Sequence, residues 1–166
     1  MARVWVFGDH IDTDQILPGR YAPYMTSEES LVKYPFVEAR PEFAHRVQRG
    51  DLIVAGSNFG CGSSREYAPR ALYAVGIAAI VAPSFSRIFY RNALNLGLPL
   101  YEADLRALLG DGQVVTVDLD RDRVVTEKSI EIALPEPSPF ARRIWREGGV
   151  VQYYLKHGRF PVGEEA

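Results

Sequence analysis

Residues 58–72 read NFGCGSSREYAPRAL, and the chemistry of that stretch is concentrated in Gly62-Ser63-Ser64-Arg65-Glu66. Gly60 and Gly62 let backbone approach whatever lies above it, and two hydroxyls and a guanidinium follow at once. A guanidinium grips a carboxylate or a phosphate through two parallel hydrogen bonds, so the combination suits a small anion. A bland reading stands beside this one. Ser63-Ser64-Arg65-Glu66 also fits the S-x-x-E capping box, with Ser63 or Ser64 starting a helix and the glutamate reaching back. A cap has no use for the arginine between them, which favours the anion. The common nucleotide loops do not fit: no lysine follows either glycine, Arg65 stands where G-x-G-x-x-G needs its last glycine, and Glu66 replaces the last glycine of G-x-S-x-G.

The elements around this motif alternate. Residues 3–8 (RVWVFG) read as an opening strand, and residues 12–26 (DTDQILPGRYAPYMT) as an ordered but irregular connection carrying Pro18, Gly19 and Pro23. Two short helices are expected at 27–34, capped by Ser27 and stopped by Pro35, and at 41–47. Then come a strand at 51–56, the motif, a helix ending at Gly76, a strand at 77–83, a helix at 86–97 and a strand at 98–102. Strands alternating with helices of this length predict right-handed β-α-β units and a mostly parallel sheet. Beyond it, residues 112–134 alternate apolar and polar around a charged turn at 120–122, predicting an antiparallel hairpin laid on the core. The tail at 138–160 reads as two short helical pieces divided by Gly148-Gly149, and the closing PVGEEA as frayed.

Composition bounds the rest. The 166 residues suit one domain, with a core over about 1–134 and the helical tail. A formal charge of −2 gives no electrostatic reason to expect nucleic acid. No apolar run approaches the ~20 residues of a membrane span, and MARVWVFGDH resembles neither a signal nor a transit peptide, so a cytoplasmic setting is expected. The one cysteine, Cys61, cannot alone hold a zinc or an iron–sulfur cluster and reads as a buried small residue. His10, His45 and His157 show no metal-ligand spacing, and Arg87 and Arg91 read as partner-facing or intrahelical ion-pair residues.

Three separated segments carry a resemblance: GDHIDTDQILPGRY, NFGCGSSREYAP and SFSRIFYRNALNLGLP, together spanning about residues 5–102. In this order they resemble the small subunits of the aconitase-like hydro-lyases, isopropylmalate isomerase and homoaconitase. The resemblance implies an aconitase-type swivelling domain: an α/β fold with a mostly parallel sheet, helices and an antiparallel hairpin, in β/β/α layers. It also implies a large partner subunit bearing a [4Fe–4S] cluster, with none bound by this chain, and a small di- or tricarboxylate substrate.

Carried over by residue, the resemblance makes Ser63 the base that takes and returns a carbon-bound proton, activated by helix-terminal N–H groups and cationic neighbours. Ser64 and Arg65 would bind a substrate carboxylate. Asp14 would support the site, its structural alternative being a loop carboxylate bonded to nearby N–H groups. Substrate choice falls to residues 18–24. Ala22-Pro23 suit an apolar group and hence isopropylmalate and leucine biosynthesis, whereas Arg20 or Tyr24 would greet the extra carboxylate of homoaconitate, in lysine biosynthesis. A carboxylate-binding module without chemistry is the alternative of a different class.

Overall fold

The computed structural model describes residues 1–24 and 26–162, apart from the side chain of Ala22. Its sheet begins with β1 (Ala2–Val6). Residues 12–26, expected to be irregular, instead hold α1 (Thr13–Ile16) and a 3-10 helix (Gly19–Tyr24). The missed signal was Asp12-Thr13-Asp14-Gln15: the Asp12 carboxylate accepts from the Gln15 N–H at 2.7 Å, and the Gln15 side chain returns a bond to the Asp12 N–H at 2.9 Å. Next come α2 (Glu28–Leu31), capped by Ser27 as expected but ending four residues before Pro35, and α3 (Glu42–Arg46).

The alternating centre follows: β2 (Leu52–Val54), α4 (Tyr67–Ala74), β3 (Ala79–Ala82), α5 (Arg87–Leu96) and β4 (Leu100–Glu102). β5 (Val114–Asp118), β6 (Arg123–Thr126) and β7 (Glu131–Ala133) form an antiparallel meander, and α6 (Pro139–Glu147) and α7 (Val150–His157) close the described chain, divided at Gly148-Gly149. The strand order is β4-β3-β2-β1-β5-β6-β7, parallel from β4 to β1 and antiparallel from β1 to β7.

β2 and β3 are unbroken apolar runs because both of their faces are covered. The period of two sends Trp5, Ile53 and Ile80 to one face, where they pack with Phe43, Leu72 and Phe89 from α3, α4 and α5. Val4, Val54 and Val81 point to the other face and share a cluster with Val115, Val124 and Ile132, so the antiparallel strands curl back over the parallel ones. The layers are therefore sheet, sheet and helix. Asp51, 2 % exposed, fastens β1 to β2 by accepting from the Trp5 indole and the Arg3 and Gln48 N–H groups at 2.8–2.9 Å.

Parallel β1, β2 and β3 end at one edge of the sheet, and the loops that leave them meet there through two isolated bridges, Asp12 with Cys61 and Phe59 with Phe85. In open α/β sheets this edge is where ligands collect.

Candidate active site

The loop after β2 is built to stay extended over that edge. Asn58, Gly60 and Gly62 all have positive φ, at 59°, 76° and 96°. Gly60 is pinned on both sides: its N–H donates to the Ile11 carbonyl at 2.7 Å, and an added Cβ would overlap the Phe89 ring. Thr13, 3 % exposed, then ties down the next turn. Its N–H donates to the Cys61 carbonyl at 2.8 Å and its hydroxyl to the Ser63 carbonyl at 3.0 Å. Cys61 itself is half-buried rather than buried, because this bridge lies at the surface edge of the sheet.

These restraints overturn the capping-box reading of Ser63 to Glu66. The helix α4 begins at Tyr67 with Glu66 as its N-cap, and no side chain caps it. The Arg65 N–H turns back to the Ser63 carbonyl at 2.8 Å, so residues 63–66 form a turn in front of the helix. The helix-terminal N–H groups expected to activate Ser63 therefore start three residues further on. The Ser63 and Ser64 side chains are exposed, with only the Ser63 backbone fixed.

Arg65 and Asp14 meet. The Arg65 guanidinium donates through Nη1 to the Asp14 carboxylate at 2.7 Å, and the same oxygen accepts the Gly19 N–H at 3.0 Å. The Gly19 N–H above all, together with Arg65, holds the Asp14 carboxyl below its ordinary range against the opposing effect of burial. Asp14 thus bonds a loop N–H, as its structural alternative has it, and also holds the Arg65 guanidinium. The three residues of Asp12-Thr13-Asp14 divide the work into capping α1, holding the Ser63 backbone and holding the Arg65 side chain.

Ser64 and Arg65 line an open cleft of about 590 Å³ together with Leu17, Gly19, Glu66, Tyr67 and Arg70, a volume suited to a small acid. Arg20 turns elsewhere. It pairs with Glu38, donates to the Tyr21 hydroxyl at 3.2 Å and stacks on the Tyr21 ring. These two partners raise its pKa further. Tyr24 is 65 % exposed, and the Ala22 side chain lies outside the described residues. Sequence reasoning missed Arg70, a second cation on the cleft wall. It sits on α4 one turn beyond Glu66, a spacing that would have placed it beside the motif had the helix start been known. Arg87 and Arg91 line a separate cavity of about 570 Å³ with Phe85, Ile88, Tyr90 and Glu102, and neither forms an ion pair among the described residues. Among the described residues, no three His, Cys, Asp or Glu side chains are placed to hold a metal ion, and no helix is long and apolar enough to cross a membrane.

The family model of the aconitase C-terminal domain matches residues 11–103, which take in Asp14, the Ser63 to Arg65 turn and strands β2 to β4. The chain belongs to this family. As an aconitase C-terminal domain it also has relatives along nearly its whole length. It is 50 % identical to the 3-isopropylmalate dehydratase small subunit 1 of Deinococcus radiodurans, over 99 % of this chain and 92 % of that one. It is 49 % identical to the homoaconitase small subunit of Thermus thermophilus, over 97 % and 99 % of the two chains. The crystal structure of 3-isopropylmalate dehydratase from Methanocaldococcus jannaschii superposes with a TM-score of 0.87 at 42 % identity, covering 95 % of this chain and 93 % of that one. These matches extend the likeness of this aconitase C-terminal domain through the antiparallel strands and the helical tail.

Proposed function

We propose that this chain is the small subunit of a heteromeric hydro-lyase that isomerises a 2- or 3-hydroxy acid by dehydration and rehydration, with 3-isopropylmalate as the substrate. The observation that carries the reading is the Asp14–Arg65 pair beside an open cleft. A guanidinium held at one edge by its own carboxylate keeps its remaining N–H groups for a substrate carboxylate, with the Ser64 hydroxyl next to it. In this reading Ser63 is the base. Its Oγ, acting as the alkoxide, takes the proton from the carbon beside a carboxylate and becomes the hydroxyl, while the substrate hydroxyl leaves the neighbouring carbon with its bonding electrons. Returning water with the two positions exchanged gives the isomer with no change in oxidation state.

The cleft is half a site. It is open to solvent on one side, and the described residues supply neither the Lewis acid that a departing hydroxyl needs nor a ligand set for one. The lone half-buried Cys61 does not fit an iron–sulfur cluster, which takes several cysteine ligands. The [4Fe–4S] cluster is therefore assigned to a large partner subunit that closes over the cleft, in the cytoplasm where such biosynthesis would run. Gly19, Leu17 and Tyr67 give the cleft an uncharged wall that suits an isopropyl group, and Arg20, tied to Glu38, is withdrawn from it. Arg70 supports a second reading, homoaconitate, because it offers the cleft another cation for a third carboxylate.

The test is anaerobic reconstitution with the cluster-loaded large subunit of the same source, comparing kcat/KM for isopropylmalate and homoaconitate. The expected result is a preference for isopropylmalate of about 100-fold or more, since a misplaced buried charge costs several kcal/mol. Preference for homoaconitate would transfer the specificity role to Arg70. Turnover of neither acid would leave a carboxylate-binding module and overturn the hydro-lyase reading.

A further inference from the structure

The glycine at position 19 needs a reason other than backbone conformation. Its φ lies outside the left-handed region, so any residue could adopt its backbone. What sets it apart is the space above it. A Cβ built on Gly19 would overlap Arg65 Nη1 and lie 2.8 Å from Cζ and 2.9 Å from Nη2, so the Nη1–Nη2 end of the guanidinium lies against the bare Cα. By contrast, Gly8, Gly50, Gly112 and Gly158 have nothing within 4 Å of the same position. The Gly19 N–H also donates to the Asp14 oxygen that receives Arg65 Nη1. One residue thus supplies the floor under the guanidinium and half of the hold on its counter-ion.

We propose that Gly19 is a positioning residue for substrate binding: its missing side chain is the slot that, with Asp14, sets the Arg65 guanidinium to face the cleft. The role rests on the reading of Arg65 as the carboxylate ligand. A methyl group at position 19 meets only the far end of a flexible side chain, so the fold tolerates it, and Arg65 swings out of the slot and off Asp14. The chain thereby keeps its structure and loses the preset orientation, which raises the cost of binding and leaves the proton transfer at Ser63 largely untouched.

Two measurements on Gly19→Ala test this. In the reconstituted complex, KM is expected to rise about tenfold with kcat within about threefold of wild type, and the same substitution in an Arg65→Lys background to add nothing, because lysine has no plane to seat. In the isolated full-length chain, which needs no substrate, nitrogen-15 NMR should show the Arg65 Nη groups with slowed rotation in the wild type and freely averaged in Gly19→Ala. An ordered Arg65 signal retained in Gly19→Ala, an unchanged KM, or an equal further loss on top of Arg65→Lys would each overturn the slot. If the wild-type complex turns over neither acid, the functional reading fails, and the NMR comparison still decides whether Gly19 seats Arg65.

Discussion

The Asp14 side chain is 62 % exposed and that of Arg65 35 %, so their pair contributes little to folding: exposed ion pairs are worth about 0.2–1 kcal/mol. Its value lies in orientation. Replacing Asp14 by Asn should leave the thermal midpoint nearly unchanged and raise KM about 1.4- to 5-fold, the kinetic equivalent of that energy. The pH dependence follows from the direction of the shift. Asp14 is held below its ordinary carboxylate value by the Gly19 N–H and by Arg65, so whatever it contributes is fully present above about pH 4 and is lost only as pH falls through the lowered value. The Asp14→Asn effect on KM should therefore be the same at about pH 6 and about pH 8; a ratio that changes across that window would show that another group titrates in the pair's place. At this scale the structure places Asp14 against Arg65, with Ser64 beside Arg65 on the cleft, and the sequence singled out these three through the Gly-Ser-Ser-Arg run and the family resemblance. It could not show that Arg20 is occupied by Glu38, a partner 18 positions away brought near by tertiary packing.

Among the elements, the loop after β2 carries the strictest demand. Gly60 combines φ of 76° with a Phe89 side chain pressed against its Cα, and Phe89 is itself fixed by edge contacts with Phe59 at 5.3 Å. Gly60→Ala should lower stability by about 2–5 kcal/mol, from a left-handed backbone at about 1–2 and overpacking at about 1–3, and denaturant unfolding would read it directly. A midpoint within error of wild type would mean that α5 yields easily and the loop is less rigid than its contacts imply. The strands, α5 with its Gly97 stop and the split tail were legible from apolar period and punctuation, while the hairpin expected over 112–134 is a three-stranded meander. The start of α4 was not. Ser63-x-x-Glu66 has the pattern of a cap, but Thr13, 50 positions earlier in the chain, holds the Ser63 carbonyl and keeps the turn out of the helix. Residues 12–24 were misjudged for a related reason: prolines and absent periodicity concealed a one-turn α-helix and a 3-10 helix, each too short to show a period.

At the scale of the whole molecule, the curled sheet presents one edge, where the loops after β1 and β2 bring Asp14 to Arg65. At that edge the Ser63 and Ser64 hydroxyls are exposed and the cleft is open, which leaves room for the large subunit proposed above. The overall fold was readable because alternating strands and helices allow few topologies. That a second subunit would complete the site was suggested only by the family resemblance, since nothing in one chain's spacing declares what a partner brings. The central claim is that this chain supplies the base. The most direct measurement is turnover of isopropylmalate by the reconstituted complex containing Ser63→Ala, with assembly followed in parallel. The account predicts a complex that forms normally and loses kcat by about 1,000-fold or more, with KM little changed. Turnover within about tenfold of wild type would contradict it and move the proton transfer to the partner subunit.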